Sequence, residues 1–382
     1  MKIVHLMGYF VPEFGYQEYY LAKKQREMGH DVYVIASDLL YPFPNIEAML
    51  KEAGIKQTSR KREAGLSVVD GLKLYRLPHF IEYSDFILCR GLCKALEKIK
   101  PDLVFAHESR QGLPAMGAYC KNKIGYKLVV DQHDFHHKIP NHPLWKRILR
   151  FLDYYCFRRF VVDYSLRNAD KIVAVTSETK KFLIKTHKIN SKKISLIPLG
   201  VDIGFFKFDN EARSNIRKKF EIKETDVVIM FSGTIVRRKG IELLLEAFSE
   251  IRNENVKLFI VGSGDVGYMR ELKDLSKKLH IEDKSIFTGF LKKEDVSNYF
   301  SAADIGVWPG NNSVSIMEAM ACKLPIVMAD LQLSHLVSYD NGFKFPQHNK
   351  EKLKIALKKI IGNKNLRLKM GKNSVLAIKK HY

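Results

Sequence analysis

The chain has 382 residues, 46% of them hydrophobic and 28% charged, with a formal net charge of +22. That length exceeds one ordinary domain, and the composition supplies a packed core to each of two, which excludes a disordered or fibrous polymer. No apolar run approaches the roughly 18–20 residues that span a bilayer, and neither an internal repeat nor a low-complexity tract is present.

Residues 2–7, apolar and soon followed by Pro12, read as a first buried strand and not as a signal peptide. A helix is expected at 17–28, stopped by Gly29, and a strand at 31–36. Segment 39–65 contains Pro42, Pro44 and a polar run from Lys56 to Glu63. It reads as a loop with a helical piece at 46–53, a candidate lid. Strands at 103–106, 127–131 and 171–176 complete the first half. Ile197-Pro198-Leu199-Gly200-Val201-Asp202 is the candidate linker. The second half repeats the alternation, with strands at 227–231, 256–261, 285–288, 305–307 and 326–328. Helices are expected between them at 241–252, 268–279, 293–302 and 315–321. Such alternation predicts an α/β fold of two Rossmann-like, doubly wound parallel-sheet domains, with ligands beyond the carboxyl ends of the strands. The expected division is 1–197, a linker at 198–204, a second domain at 205–364 and a basic tail at 365–382 that returns to the first domain.

The positive charge is unevenly spread. Residues 142–168 hold six Lys/Arg against two acids, interleaved with Trp145, Phe151, Tyr154, Tyr155, Phe157 and Phe160. Residues 350–382 hold eleven Lys/Arg against Glu351 alone. A solvated face explains either run, and an anionic membrane surface is the functional alternative, with the aromatics favouring it at 142–168. No zinc-finger, helix-turn-helix or RNA-binding pattern points to nucleic acid. The five cysteines (Cys89, Cys93, Cys120, Cys156, Cys322) lack metal-ligand spacing. They read as reduced thiols of a cytoplasmic protein, with Cys89 and Cys93 able to share a helix face. No Asp-x-Asp occurs, which removes one way of holding a divalent metal on a diphosphate.

Four segments carry candidate chemistry. Trp308-Pro309-Gly310-Asn311-Asn312-Ser313-Val314-Ser315 reads as a strand end and turn opening a short helix. Free amides at that helix start favour an anion, and Glu318 one turn inside can accept from sugar hydroxyls. Taken alone, the segment reads better as a capped crossover with a solvated Glu. Ser232-Gly233-Thr234-Ile235-Val236-Arg237-Arg238-Lys239-Gly240 follows a strand, and its cations, Lys239 first and Arg238 second, suit diphosphate oxygens. Val261-Gly262-Ser263-Gly264-Asp265-Val266-Gly267 satisfies a dinucleotide fingerprint formally. No acid closes the following strand, so its glycines read as packing and turn residues beside a nucleotide. In the first half, Pro12-Glu13-Phe14-Gly15-Tyr16 opens a helix, and Asp131-Gln132-His133-Asp134-Phe135-His136-His137 follows a strand. His133 is placed to donate to a developing charge or to orient a hydroxyl, with His107 and Glu108 facing the same way from the neighbouring strand. The histidine spacing matches no metal-ligand pattern. Each of these residues is, singly, an ordinary loop polar group.

Together the segments resemble the retaining family-4 glycosyltransferases of the GT-B fold. The resemblance runs through Pro12…Gly15, Met28-Gly29-His30, Asp131-Gln132-His133-Asp134 and Ala169-Asp170-Lys171-Ile172-Val173-Ala174-Val175-Thr176-Ser177. It continues through Ser232-Gly233…Arg238-Lys239-Gly240, Gly262-Ser263-Gly264, Thr288-Gly289 and Glu318-Ala319-Met320-Ala321. It implies that the second domain holds a nucleotide-diphosphate sugar. Gly15, Gly233, Arg238, Lys239, Gly262, Gly289, Asn312, Ser313, Val314, Ser315 and Glu318 would contact that donor. Tyr16, His107, Glu108 and Asp134 would lie on the acceptor side. His133, Lys239 and Glu318 would form the catalytic set, with neither metal nor cofactor.

The chain departs from the family pattern in telling places. The paired acids Glu-x7-Glu would need Glu at 310, where this chain has Gly310. Thr234 stands where an Arg is usual, and the first-loop glycine pair is reduced to Gly15-Tyr16. The implied function is transfer of a sugar, with retained configuration, to a glycan or lipid-linked acceptor in cell-surface polysaccharide or glycoconjugate synthesis. The place of action would be the cytoplasm, peripheral on the inner face of the cell membrane. The rival readings are a nucleotide-sugar epimerase or hydrolase, and a weakened nucleotide-sugar-binding protein. A dehydrogenase fits least.

Overall fold

A computed structural model describes all residues except 13–15, 44–45, 53, 134–143, 252–253, 312, 332 and 382, and only the backbone of 49, 52, 144, 146, 147 and 150. The chain divides into two compact units, Met1–Phe43 with Ser59–Leu199 and Pro44–Thr58 with Gly200–Tyr382.

The first unit runs β1 (Lys2–Leu6), α1 (Gln17–Glu27) and β2 (Asp31–Ser37); α2 (Ile46–Glu52) groups with the second unit. Then come β3 (Gly65–Val69), β4 (Leu72–Leu77), β5 (His79–Tyr83), β6 (Phe86–Cys89), α3 (Leu92–Ile99) and β7 (Leu103–Ala106). After them follow α4 (Leu113–Ile124), β8 (Lys127–Gln132), α5 (Leu144–Leu152), α6 (Arg159–Asn168), β9 (Lys171–Ala174), α7 (Ser177–His187) and β10 (Ile194–Leu196). Eight strands form one sheet in the order β10-β9-β8-β7-β1-β2-β4-β3, parallel except for β3 against β4, while β5 and β6 pair as a separate hairpin. Alternation along β1 sends Val4 and Leu6 to one core and Ile3 and Met7 to another, so the sheet is covered on both faces. His5, at the intervening position, is buried as well.

The second unit continues with α8 (Asn210–Lys219), β11 (Val227–Ser232), α9 (Ile241–Ser249), β12 (Val256–Val261), α10 (Val266–Lys278), β13 (Ser285–Gly289) and α11 (Lys293–Ala302). It ends with β14 (Ile305–Trp308), α12 (Ser315–Ala321), β15 (Ile326–Ala329), β16 (Gly342–Phe345), α13 (Lys350–Ile361) and α14 (Lys364–His381). Its sheet is wholly parallel, in the order β13-β12-β11-β14-β15-β16. Every residue of β11 is buried, as its unbroken apolar run requires of a central strand covered twice. The basic tail is α14, packed on α12 and α13 of its own unit.

Strand order reverses between β1 and β7 in the first sheet and between β11 and β14 in the second. These are the topological switch points, where crevices open beyond the strand ends. The reading of the cysteines is corrected. Cys93 and Cys120 form a disulfide that ties α3 to α4, and Cys89 lies in strand β6, so it shares no helix face with Cys93.

Candidate active site

At the first switch point a buried chain of polar side chains runs across the sheet. His5 Nε2 lies 2.9 Å from Gln25 Oε1, and His5 Nδ1 lies 2.9 Å from His107 Nε2. His107 Nδ1 reaches Asp131 Oδ2 at 2.6 Å, and His133 Nε2 stands 3.4 Å from the same oxygen. Asp131 Oδ1 accepts from the Glu108 amide at 2.8 Å, and Glu108 Oε1 accepts from the His133 amide at 3.2 Å.

The proton positions follow from these contacts. If His107 is neutral, its proton sits on Nδ1 facing Asp131, so Nε2 must accept from His5. His5 Nε2 is then bare and needs the Gln25 amide nitrogen, with the amide turned over. If His107 is protonated, His5 accepts at Nδ1 and donates at Nε2 to the Gln25 oxygen as placed.

Burial opposes charge throughout this chain, but its outcomes differ. It dominates at His5, whose pKa falls to about 3, helped by His107. At Asp131 burial is outweighed by His107 and His133, which hold the carboxyl well below its usual range. At His133 burial is outweighed by Asp131 and then Glu108, and the pKa is pushed up to about 10. His133 keeps about a fifth of its side chain exposed, 22%. The result is a charged imidazole held ready at a strand end. His107 is corrected from an acceptor contact to a support: it is buried and both ring nitrogens are committed. Glu108 adopts a left-handed backbone, φ 57°, that turns its carboxylate back to His133. Tyr16 stands exposed at the start of α1. Gly15, Asp134, His136 and His137 lie outside the described residues.

The second switch point is built by close backbone approach. Gly233 leaves β11 at φ 149°, and Gly240 enters α9 at φ 68°, conformations that favour glycine. A Cβ on Gly262 would stand 2.0 Å from the Gly233 oxygen, and one on Gly264 2.0 Å from the Ile235 oxygen. The Gly262 amide donates to the Gly289 oxygen at 3.0 Å. The glycines of the apparent fingerprint therefore let strand-end loops touch. Gly310 belongs to the same packing. A Cβ there would lie 2.4 Å from the Arg238 oxygen and 2.5 Å from the Lys239 carbonyl carbon. The position where an acid was expected has backbone where its side chain would begin.

Lys239, between these loops, is buried, and its Nζ donates to the Asn311 oxygen at 2.8 Å. Burial, then the charge of Arg238, lowers its pKa to about 7. Arg238 is exposed, whereas Arg237 is engaged by Glu271 at 2.5 Å and stacks over Tyr268. Trp308 Nε1 donates to the Ser232 oxygen at 3.1 Å, and the Ser315 hydroxyl donates to that oxygen at 2.8 Å. Ser313 and Ser315 share a 2.5 Å hydrogen bond, so the start of α12 is stitched to the end of β11. Asn312 lies outside the described residues. Glu318 is buried in α12; Lys293 of α11 bonds its Oε1, while Oε2 has no partner among the described residues. Lys293 was not anticipated: it lies 25 residues earlier and only the fold brings it to Glu318. The unit thus carries Arg238 and Lys239 after β11, and the α12 start and Glu318 after the adjacent β14, groups of a kind able to bind a phosphorylated polyol.

Comparison with known proteins fits this chemistry. The family described as Glycosyltransferase Family 4 matches residues 18–205, and that described as Glycosyl transferases group 1 matches residues 212–375. The chain is 24% identical over its whole length to an uncharacterised glycosyltransferase of Methanocaldococcus jannaschii, of which it covers 95%. It is 24% identical over 70% of its length to the alpha-monoglucosyldiacylglycerol synthase of Streptococcus pneumoniae, of which it spans 61%. Anabaena HepE, solved with UDP, superposes with a TM-score of 0.73 at 19% identity, covering all of this chain and 96% of that one. The two families between them account for nearly the whole sequence, and the chain belongs to the GT-B glycosyltransferases that join a family-4 first domain to a group-1 second domain.

Proposed function

We propose that this glycosyltransferase moves a sugar from a nucleoside-diphosphate sugar to a glycan or lipid-linked acceptor, with retention of anomeric configuration. The reading is supported by the order of these groups along the sheet: Arg238 and Lys239 follow β11, and the α12 start and Glu318 follow the adjacent β14. In this scheme Lys239 and Arg238 balance the diphosphate, and amides from Ser313 to Ser315 face its oxygens. Glu318 Oε2 accepts from the ribose, while Lys293 holds the other oxygen. His133, already charged, is the first unit's candidate donor to a sugar hydroxyl. The bond from the anomeric carbon to the phosphate oxygen breaks, and the bond to the acceptor oxygen forms on the same face. The acceptor proton passes to the leaving diphosphate. Fixed side-chain cations do the work of charge balance, so no metal is required.

Such catalysis suits cell-surface polysaccharide or glycoconjugate synthesis, in the cytoplasm and peripheral to the inner face of the membrane. The streptococcal relative named for a glycolipid product supports a lipid-linked acceptor, and the HepE complex supports a UDP donor. A thermal-shift screen of UDP-, GDP-, ADP- and dTDP-sugars identifies the donor, since a ligand of the folded state raises Tm. Against the best donor, Lys239→Ala should weaken binding by about 1.5–3 kcal/mol, the range for a hydrogen bond to a charged group. An unaltered donor Kd would remove the diphosphate role. Gly310 favours one rival, a protein that binds nucleotide sugar without turning it over. NMR with donor and a broad acceptor panel separates them: transfer products support the enzyme, donor isomerised alone marks an epimerase, and binding without either marks the rival.

A further inference from the structure

The first unit contains a cavity of about 1700 Å³ whose lining includes neither His133 nor any member of its charge chain. It opens between the β5–β6 hairpin, α3, α4 and α6, and exceeds the roughly 300–1,000 Å³ of an ordinary small-molecule pocket. Its walls are apolar, among them Ile81, Phe86, Leu88, Met116, Phe157 and Val161, and the Cys93–Cys120 bond braces one side. Large apolar side chains at its edge face solvent, Phe160 at 69% exposure and Tyr83 at 58%. Of the four basic residues in the lining, Arg76 is buried and donates to the Ser37 and Phe10 carbonyl oxygens, whereas Arg90, Lys94 and Lys98 are exposed and have no carboxylate partner among the described residues. The one acid in the lining, Asp153, is bonded by Arg158 at 2.7 Å.

The adjoining helix extends this surface. Trp145, Ile148, Leu149 and Leu152 of α5 are spaced as one helical stripe, and all four are exposed, by 47% to 59%. A stripe of that spacing ordinarily faces a core. Here it leads through the π-helical stretch Asp153–Arg158 straight to the cavity wall at Phe157 and Phe160.

We propose that this groove takes the hydrocarbon chain of an anionic bilayer lipid, with the head group held by Arg90, Lys94 and Lys98 and the α5 stripe lying in the interface. The inference rests on the membrane-peripheral reading above and gives it a site. Basic residues without a carboxylate partner, Arg90 over the Phe80 ring among them, beside an apolar channel match an anionic amphiphile at both ends. A second copy of this chain is a poorer occupant, because a twofold contact would set one basic rim against the other.

Vesicle flotation of the full chain at low salt tests this, using phosphatidylcholine with and without phosphatidylglycerol. Wild type should float with the anionic vesicles and far less with the neutral ones. The triple variant R90Q/K94Q/K98Q should partition about 100-fold more weakly, three surface cations at roughly fivefold each. Ile81→Asp with Phe160→Asp changes two exposed positions and should also release the protein. The donor-induced Tm shift, unchanged in both variants, certifies the fold and the donor site. Variants that float like wild type, or wild type that floats equally on neutral vesicles, overturn the groove while leaving the transferase intact. Wild type that fails to float at all removes the membrane-peripheral reading and the groove together. Variants that float normally but lose conversion of a lipid acceptor alone would make the acceptor the occupant and overturn the bulk-lipid proposal.

Discussion

At the β1/β7 switch point a charge is sustained by partners, whereas at the β11/β14 switch point burial works against a cation. His133 stands beside Asp131, and its pKa is raised. Lys239 donates to a backbone oxygen, and its pKa is lowered. The first group is charged before any ligand arrives; the second carries its full charge most readily once an anion sits beside it. The difference teaches that placement at a strand end does not fix a residue's chemistry. The neighbours the fold supplies decide it.

The contrast is broken most forcefully at Asp131. Asp131→Asn leaves the charged His133 without its counter-charge and the buried His107 without its carboxylate partner, and should cost about 3–5 kcal/mol of stability, measured by denaturant titration. A midpoint within error of wild type would mean that the chain is not held by ionic contacts. A smaller effect is expected from Gly310→Ala, because a Cβ would press on the backbone of Arg238 and Lys239. About 1–3 kcal/mol should be lost, with weaker donor binding as the loop moves. Full stability in that variant would show that the two loops are not in contact.

The comparison is sharpened through pH, where the wild type itself should change least. His133 titrates at 6.5 unfolded and near 10 folded, so its stabilisation is complete below 6.5 and disappears as pH rises through 10. Lys239 titrates at 10.5 unfolded and near 7 folded, so the unfolded chain binds more protons between those values, and stability rises with pH there. The two slopes oppose each other over nearly the same window. Wild-type stability should therefore vary little from pH 7 to 10, whereas Lys239→Met should lose stability steadily across it and His133→Gln should gain. Parallel curves for all three proteins would refute the opposed assignments.

Much of this fold is legible in the sequence where burial makes the pattern simple. Strands β7 and β12 and helices α11 and α12 fall where the sequence pattern puts them, the strands as short, mostly apolar runs and the helices as the mixed stretches that follow strands. Strand β3 is hard to read from the sequence, because it is an exposed edge and its apolar pattern is weak. A usable signal was present: Asp70-Gly71, both at positive φ, is the two-residue turn that joins β3 to β4. Within the site, the positions of Lys239, Glu318 and His133 could be read from their places after strands. The support of His107, the Lys293–Glu318 pair and the Cys93–Cys120 bond could not, because each joins residues at least 24 apart with no spacing rule between them. Gly310 looked like a deleted acid; only the approach of two backbones gives it a structural reason.

The indole of Trp308 spans the carboxyl end of β11 and the first residue of α12, bonding Ser232 and Ser315 at once. Strand and helix are thereby tethered before any donor arrives, and the geometry of the amides at that corner is set during folding. If the proposed donor site lies here, a donor would meet a seat already set and spend little affinity on restraining it, which would leave discrimination among sugars to side chains further from this tether.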